Sequence, residues 1–296
     1  MNNTIKLAVA SALLAAASSA SAAGGIVAGD WTLDIGGVVN AYYTSTKFSG
    51  AGNAEGTGSA PLGLGGGQTT SNITTGLLPN YLAISGKTRQ NDLDVAFTIS
   101  INPGSSTTNS GIQSAQQENR QAFLTFGDAS WGSIKLGKDL GIYASDAILN
   151  DMTLLGVGAG AGSLAGNTTT LGRIGSGFMY ADWKAQVAYT SPNFNGFQFT
   201  AGLTQAFDAV VDNGARGGKE PAYEGKASYS FAADAVTGKV WASGISQNME
   251  QYNQTSSAWD LGANVNAAGF GLTGYYYKGC LISVPNIKPS NKLKWF

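Results

Sequence analysis

Apolar and polar residues alternate with period two along most of the chain between Trp31 and Lys278, the mark of strands that present one apolar and one polar face. In Leu93, Val95, Phe97, Ile99 and Ile101 one face is wholly apolar, and the intervening Asp94, Ala96, Thr98 and Ser100 are small or polar. Phe197, Phe199, Ala201 and Leu203 alternate in the same way with Gln198, Thr200, Gly202 and Thr204. Tyr223, Gly225, Ala227, Tyr229 and Phe231 oppose Glu224, Lys226, Ser228 and Ser230, and Trp259, Leu261, Ala263 and Val265 oppose Asp260, Gly262, Asn264 and Asn266. The pattern predicts eleven strands, over 31–47, 77–88, 92–102, 117–127, 132–143, 183–191, 196–206, 221–233, 236–248, 257–267 and 269–278. Each clear run is about ten residues, the length of a tilted membrane strand.

Two kinds of connection join these runs. Ser191 to Gly196 and Asn266 to Gly269 are short and turn-forming, whereas 49–76, 102–116 and 208–219 are long and rich in Gly, Ser, Thr and Asn. Short turns alternating with long loops is the asymmetry of an outer-membrane barrel. The polar face of the strands carries Gln, Thr, Ser, Asn and Gly with scattered charge, which suits a wet lumen better than the outer surface of a soluble sandwich. Trp31, Tyr43, Trp131, Tyr143, Tyr180, Tyr189 and Trp259 lie near strand ends, where girdles at the membrane interface are expected.

Composition narrows the chemistry. The 296 residues include 42 Gly, one Cys and no His, and only 12% are charged. Without His there is no Ser-His-Asp triad and no imidazole metal ligand, and one Cys makes neither an internal disulfide nor a zinc-thiolate site. With 17 Lys and Arg against 18 Asp and Glu there is no basic field for nucleic acid. Glu224 and Asp260, the best carboxylate pair for hydrolysis, show no sign in the sequence of converging, so no enzyme is expected and no cofactor. The Gly156 to Gly162 run lacks the helix and downstream acid of a dinucleotide loop and reads as a loop segment.

The two ends differ from the body. Residues 1–22 read as an export signal, with Lys6, an apolar stretch from Leu7 to Ala17 and a small-residue cleavage site at Ala20-Ser21-Ala22. That apolar stretch is too short to span a bilayer, which needs about 20 residues. Residues 23–279 form the barrel body and carry a formal charge of −5. From Cys280 to Phe296 the chain has no Gly and no acid, and holds the only Cys, two Pro and three Lys; it reads as an atypical tail from a shifted frame or junction, without a convincing amphipathic strand.

Asn119 to Asp128 (NRQAFLTFGD) followed by Trp131 to Lys138 (WGSIKLGK) resembles the fourth and fifth strands of the Gram-negative general porins, and Tyr189 to Phe197 (YTSPNFNGF) resembles the hairpin between their sixth and seventh. The resemblance covers about residues 1–279. It implies an all-β fold, a trimeric sixteen-stranded antiparallel transmembrane barrel in the outer membrane, of which only about eleven strands are readable here. At about 23 residues per strand, sixteen would need roughly 360 residues beyond the signal, so the resemblance implies a shortened barrel.

In that family the segment after the fifth strand folds into the barrel and narrows the pore. Here it corresponds to Leu140 to Gly177 and carries Asp146 and Asp151. The resemblance implies that these acids face basic wall residues, with Arg120 and Lys138 the first candidates and Lys135 the next, so that a transverse field sorts solutes by charge. The Pro-Glu-Phe-Gly-Gly element found in many such loops is absent, as is a lumenal Arg between Tyr81 and Thr88. The function expected is a pore for passive diffusion of small hydrophilic solutes and ions across outer-membrane lipid. A substrate-selective channel, for example for sugars, and a non-conducting adhesin or structural barrel are the alternatives.

Overall fold

The computed structural model describes residues 25–47, 69–103, 117–157, 179–206, 220–249, 254–280 and 290–295. Residues 1–22, expected to be an export signal, and the part of the Gly-rich run after Val157 lie outside them. All eleven predicted strands are present. The first is split into β2 (Trp31–Val38) and β3 (Tyr42–Lys47), and the fourth into β7 (Gln117–Glu118) and β8 (Ala122–Asp128). Three more strands had no period-two signal: β1 (Ile26–Ala28), β4 (Thr69–Thr74), which lies inside a predicted loop, and β16 (Ser290–Trp295), in the tail.

Neighbours in sequence are neighbours in the sheet. The antiparallel path runs β1, β2, β5 (Tyr81–Gln90), β6 (Leu93–Pro103), β8, β9 (Gly132–Leu140), β10 (Trp183–Thr190), β11 (Phe197–Thr204), β12 (Ala222–Ala233), β13 (Val236–Met249), β14 (Gln254–Ala267), β15 (Phe270–Cys280) and β16. β7 pairs with β6 alone, and β3 with β4 form a second, two-stranded sheet. Among the described residues no pairing joins β1 to β16. β16 pairs with β15 in a register that sets Leu293 opposite Tyr276 and Lys292 opposite Tyr277.

Among the described residues, the tight turns between paired strands lie at one end of the sheet. Asn91 and Asp92 both have positive φ (50° and 61°), as do Ala268 and Gly269 (50° and 83°), the geometry that matches the twist of a two-residue hairpin. At this end Arg89 joins three strands, through Asp94 at 2.9 Å and Asp128 at 2.8 Å.

Register assigns the two faces. Phe199, Ala227, Ala242, Leu261 and Tyr276 form one row of directly opposed residues across β11 to β15, and Gln198, Ser228, Trp241, Gly262 and Tyr275 belong to the other face. The first face leaves Val187, Leu261 and Ile84 about half exposed, far more apolar surface than a soluble domain tolerates and what a lipid-facing band requires. The apolar core lies on the other face, where the segment after β9 meets the wall. Leu140, Tyr143, Ala144, Met179, Ala181, Ala206, Ala222, Ile245 and Ala258 are buried there together. Tyr143, expected in an interfacial girdle, has no exposed surface at all and roots this contact instead.

Candidate functional site

The chain leaves β9 at Gly141, whose N–H donates to the Asp182 carbonyl at 2.8 Å. A β-carbon at Gly141 would stand 2.2 Å from the Ala181 carbonyl oxygen and 2.7 Å from Lys184 Cε, so only glycine allows this close passage. Ala144 then turns the backbone to φ 58° and starts a five-residue helix, α1 (Ser145–Leu149). Ala147 of α1 packs on Trp241, Tyr275 and Tyr277 of the wall.

The Asp146 carboxylate is buried and lies between two ammonium groups. Lys226 of β12 approaches one oxygen at 2.9 Å, and Lys239 of β13 pairs with the other. Lys226 Nζ also donates to Ser145 Oγ at 2.8 Å. Burial pushes the Asp146 carboxyl up, but the charges and hydrogen bonds of Lys226 and Lys239 outweigh it, so the group sits below the ordinary carboxylate value. The lysine side chains keep 21% and 22% of their surface exposed, so the contact itself sets two partly accessible ammonium groups against one buried carboxylate.

Beyond α1 the segment crosses to a different part of the sheet. Gly156 and Leu154 carbonyls accept the N–H groups of Leu77 (2.8 Å) and Leu78 (3.0 Å), and the Leu155 carbonyl accepts Tyr42 Oη–H at 2.9 Å. Leu77 and Leu78 occupy the interval between β3–β4 and β2–β5, where both strands of the hairpin are interrupted, and Tyr42 opens β3 beside it. Asn40 staples the interruption: its N–H donates to Asn80 Oδ1 (2.5 Å), its Nδ2 to the Leu78 carbonyl (2.9 Å), and its Oδ1 accepts the Gly76 N–H (2.9 Å).

The residues expected at the constriction have separate places. Asp146 meets lysines, but they are Lys226 and Lys239, both outside the expected set. Asp151 caps a turn, its Oδ1 accepting the N–H (2.8 Å) and hydroxyl (2.7 Å) of Thr153. Lys135 is on the loop-facing side, opposite Thr125, with its ammonium 4.7 Å over the Phe123 ring and paired with Asp139. Lys138 is opposite Ala122 and Ala185, in the series of Ile134 and Leu136, and so on the outward face. Two residues from the end of β9, a lysine there costs only about 0–1 kcal/mol because it reaches the interface. Arg120 precedes β8 and its guanidinium stacks 5.6 Å over the Trp183 ring. The wall lysines stood in the polar series of their strands, with Lys226 between Glu224 and Ser228; parity marked them as facing the loop, but nothing local marked them as partners of Asp146.

Comparison with known proteins agrees with this architecture. The sequence model of the family described as Gram-negative porin matches residues 8–279. Among solved structures, the chain is similar to an anion-selective porin from Comamonas acidovorans (14% identity, TM-score 0.55, 88% of this chain and 69% of that one). It is also similar to the outer membrane channel DcaP of Acinetobacter baumannii (16% identity, TM-score 0.54, 86% of this chain and 66% of that one). The chain thus spans about two thirds of the length of each. No curated protein matches its sequence. The shared fold is the transmembrane antiparallel β-barrel of the outer membrane.

Proposed function

The chain belongs to the Gram-negative porin family, whose members are channels rather than enzymes, and from that premise we propose that it forms a water-filled pore for passive diffusion of small hydrophilic solutes and ions. The observation that supports this reading is the segment Gly141 to Val157, which packs on the polar face of the sheet with Asp146 held by Lys226 and Lys239; in this reading it is the segment that narrows the lumen. In this reading residues 1–22 direct export and are removed, and the barrel assembles as the homotrimer that the family resemblance implies. The two partly accessible ammonium groups of Lys226 and Lys239 support a preference for anions, the property for which the Comamonas porin is named.

Single-channel recording from the purified, folded chain in a planar bilayer tests the proposal. Stepwise ohmic conductance is expected, with a reversal potential in a KCl gradient on the anion side that moves further that way in Asp146→Asn. Block by one solute class at low concentration would favour a substrate-selective channel. Absence of conductance from folded protein would overturn the reading in favour of an adhesin or structural barrel.

A further inference from the structure

Glu224 and Asp260, on β12 and β14, take no part in the Asp146 contact, yet both act on the root of the inward segment. The Tyr143 N–H donates to Glu224 Oε2 at 2.7 Å. The other Glu224 oxygen accepts Thr204 Oγ1 at 2.7 Å and pairs with Lys184, and both charged side chains are fully buried. The next N–H, that of Ala144, donates to Ser243 Oγ at 3.0 Å. Asp260 fixes this acceptor: its Oδ1 receives both the Ser243 hydroxyl (2.5 Å) and the Ser243 N–H (2.8 Å), and its Oδ2 receives the Tyr275 hydroxyl (3.1 Å). Asp260 therefore orients the Ser243 lone pair toward the loop.

Two consecutive N–H groups, at the point where Ala144 turns into the left-handed region, are thus captured by buried acceptors of the wall, Glu224 and Ser243. An N–H donated to a buried carboxylate is a strong bond, and one left without its acceptor has no water to turn to. The Asp146 contact is different, since its lysines are partly wet and screened by salt. The wet contact sets charge in the lumen, while the dry one holds position.

We propose that Glu224, and Asp260 acting through Ser243, are positioning residues that latch the root of the constriction and thereby set the width and steadiness of the pore. The proposal rests on the channel reading above. Without either arm of the latch, Tyr143 leaves its pocket, α1 swings on Gly141, and the constriction fluctuates.

The test is single-channel recording of wild type, Ser243→Ala and Glu224→Ala, each first shown to migrate as a folded barrel on unheated gels. Either variant is expected to conduct at least 1.5-fold more than wild type and to flicker between levels. In a Cys280→Ser background, Ala144→Cys combined with Ser243→Cys replaces the bond by a disulfide. The oxidised form is expected to conduct steadily at the wild-type level and to become larger and noisier on reduction, which decides the matter even where Glu224→Ala does not fold. Variants with wild-type conductance and noise, or a cysteine pair shown by thiol titration to be oxidised and yet indifferent to reduction, would overturn the proposal. Folded wild type without conductance sinks the channel reading instead; amide exchange at Tyr143 and Ala144 then reads the latch, with at least tenfold acceleration in Ser243→Ala expected and unchanged exchange fatal to it.

Discussion

The inward segment is fastened at two places, and the two are built differently. At the β12–β14 wall the fastening is made by side chains: Glu224, Ser243, Lys226 and Lys239 reach from long, unbroken strands to Tyr143, Ala144 and Asp146. At the β2–β5 side the strands are broken, and the main chain of Leu77 and Leu78 does the holding, with Tyr42 adding one hydroxyl. An intact ladder uses up its N–H and C=O groups on neighbouring strands and has only side chains to offer a loop. An interrupted ladder has main-chain groups to spare, and at Leu77 and Leu78 the loop supplies what a neighbouring strand would have supplied. The first anchor is therefore specific in residue type and sensitive to charge, and the second depends on backbone shape.

Substitutions separate the two. The largest effect is expected for Lys184→Met, which strands the Glu224 carboxylate in a dry site; breaking a buried pair costs about 3–5 kcal/mol, read as a lowered urea midpoint in detergent micelles. Asn40→Ala attacks the other anchor by removing two side-chain hydrogen bonds that hold the interruption in shape. About 1–3 kcal/mol should be lost, with faster amide exchange at Leu77 and Leu78 and none of the change at Tyr143 that the wall variants produce. Tyr42→Phe deletes one partly wet bond and should cost about 0.5 kcal/mol, with pore charge selectivity unchanged.

Acid gives the finest discrimination. Because the folded-state value of Asp146 lies below its ordinary 3.8, its contribution is complete above that pH and is lost only as pH falls below it, through the depressed value. Amide exchange should then rise in Ser145 to Leu149 before it rises at Leu77 and Leu78, whose bonds involve no titrating group. Simultaneous loosening of both ends would show that the segment releases as one unit.

Much of this was legible in the alternation of the strands, because period two is a local property that survives without knowledge of partners. The interrupted hairpin was not: Trp31 to Lys47 reads as one strand, and β4 (Thr69–Thr74) is polar but for Ile73, so neither break nor strand leaves a periodic trace. Parity within the run Ile134 to Asp139 already separated Lys135 from Lys138, and the motif resemblance pointed past it. Glu224 and Asp260 were visible as inward acids, yet their convergence depends on how a loop 81 residues away in sequence enters the lumen, which no window of local sequence contains.

That separation has a consequence for how the protein is made. The bonds that seat the segment link residues 81, 99 and 93 positions apart, through Glu224, Ser243 and Lys239. Their acceptors and cations exist as a surface only after β10 to β13 have zipped together, and closing such distant contacts is slow compared with forming each hairpin. The wall is thus expected to be in place before the segment docks on it, so that seating the segment is the last step of assembly.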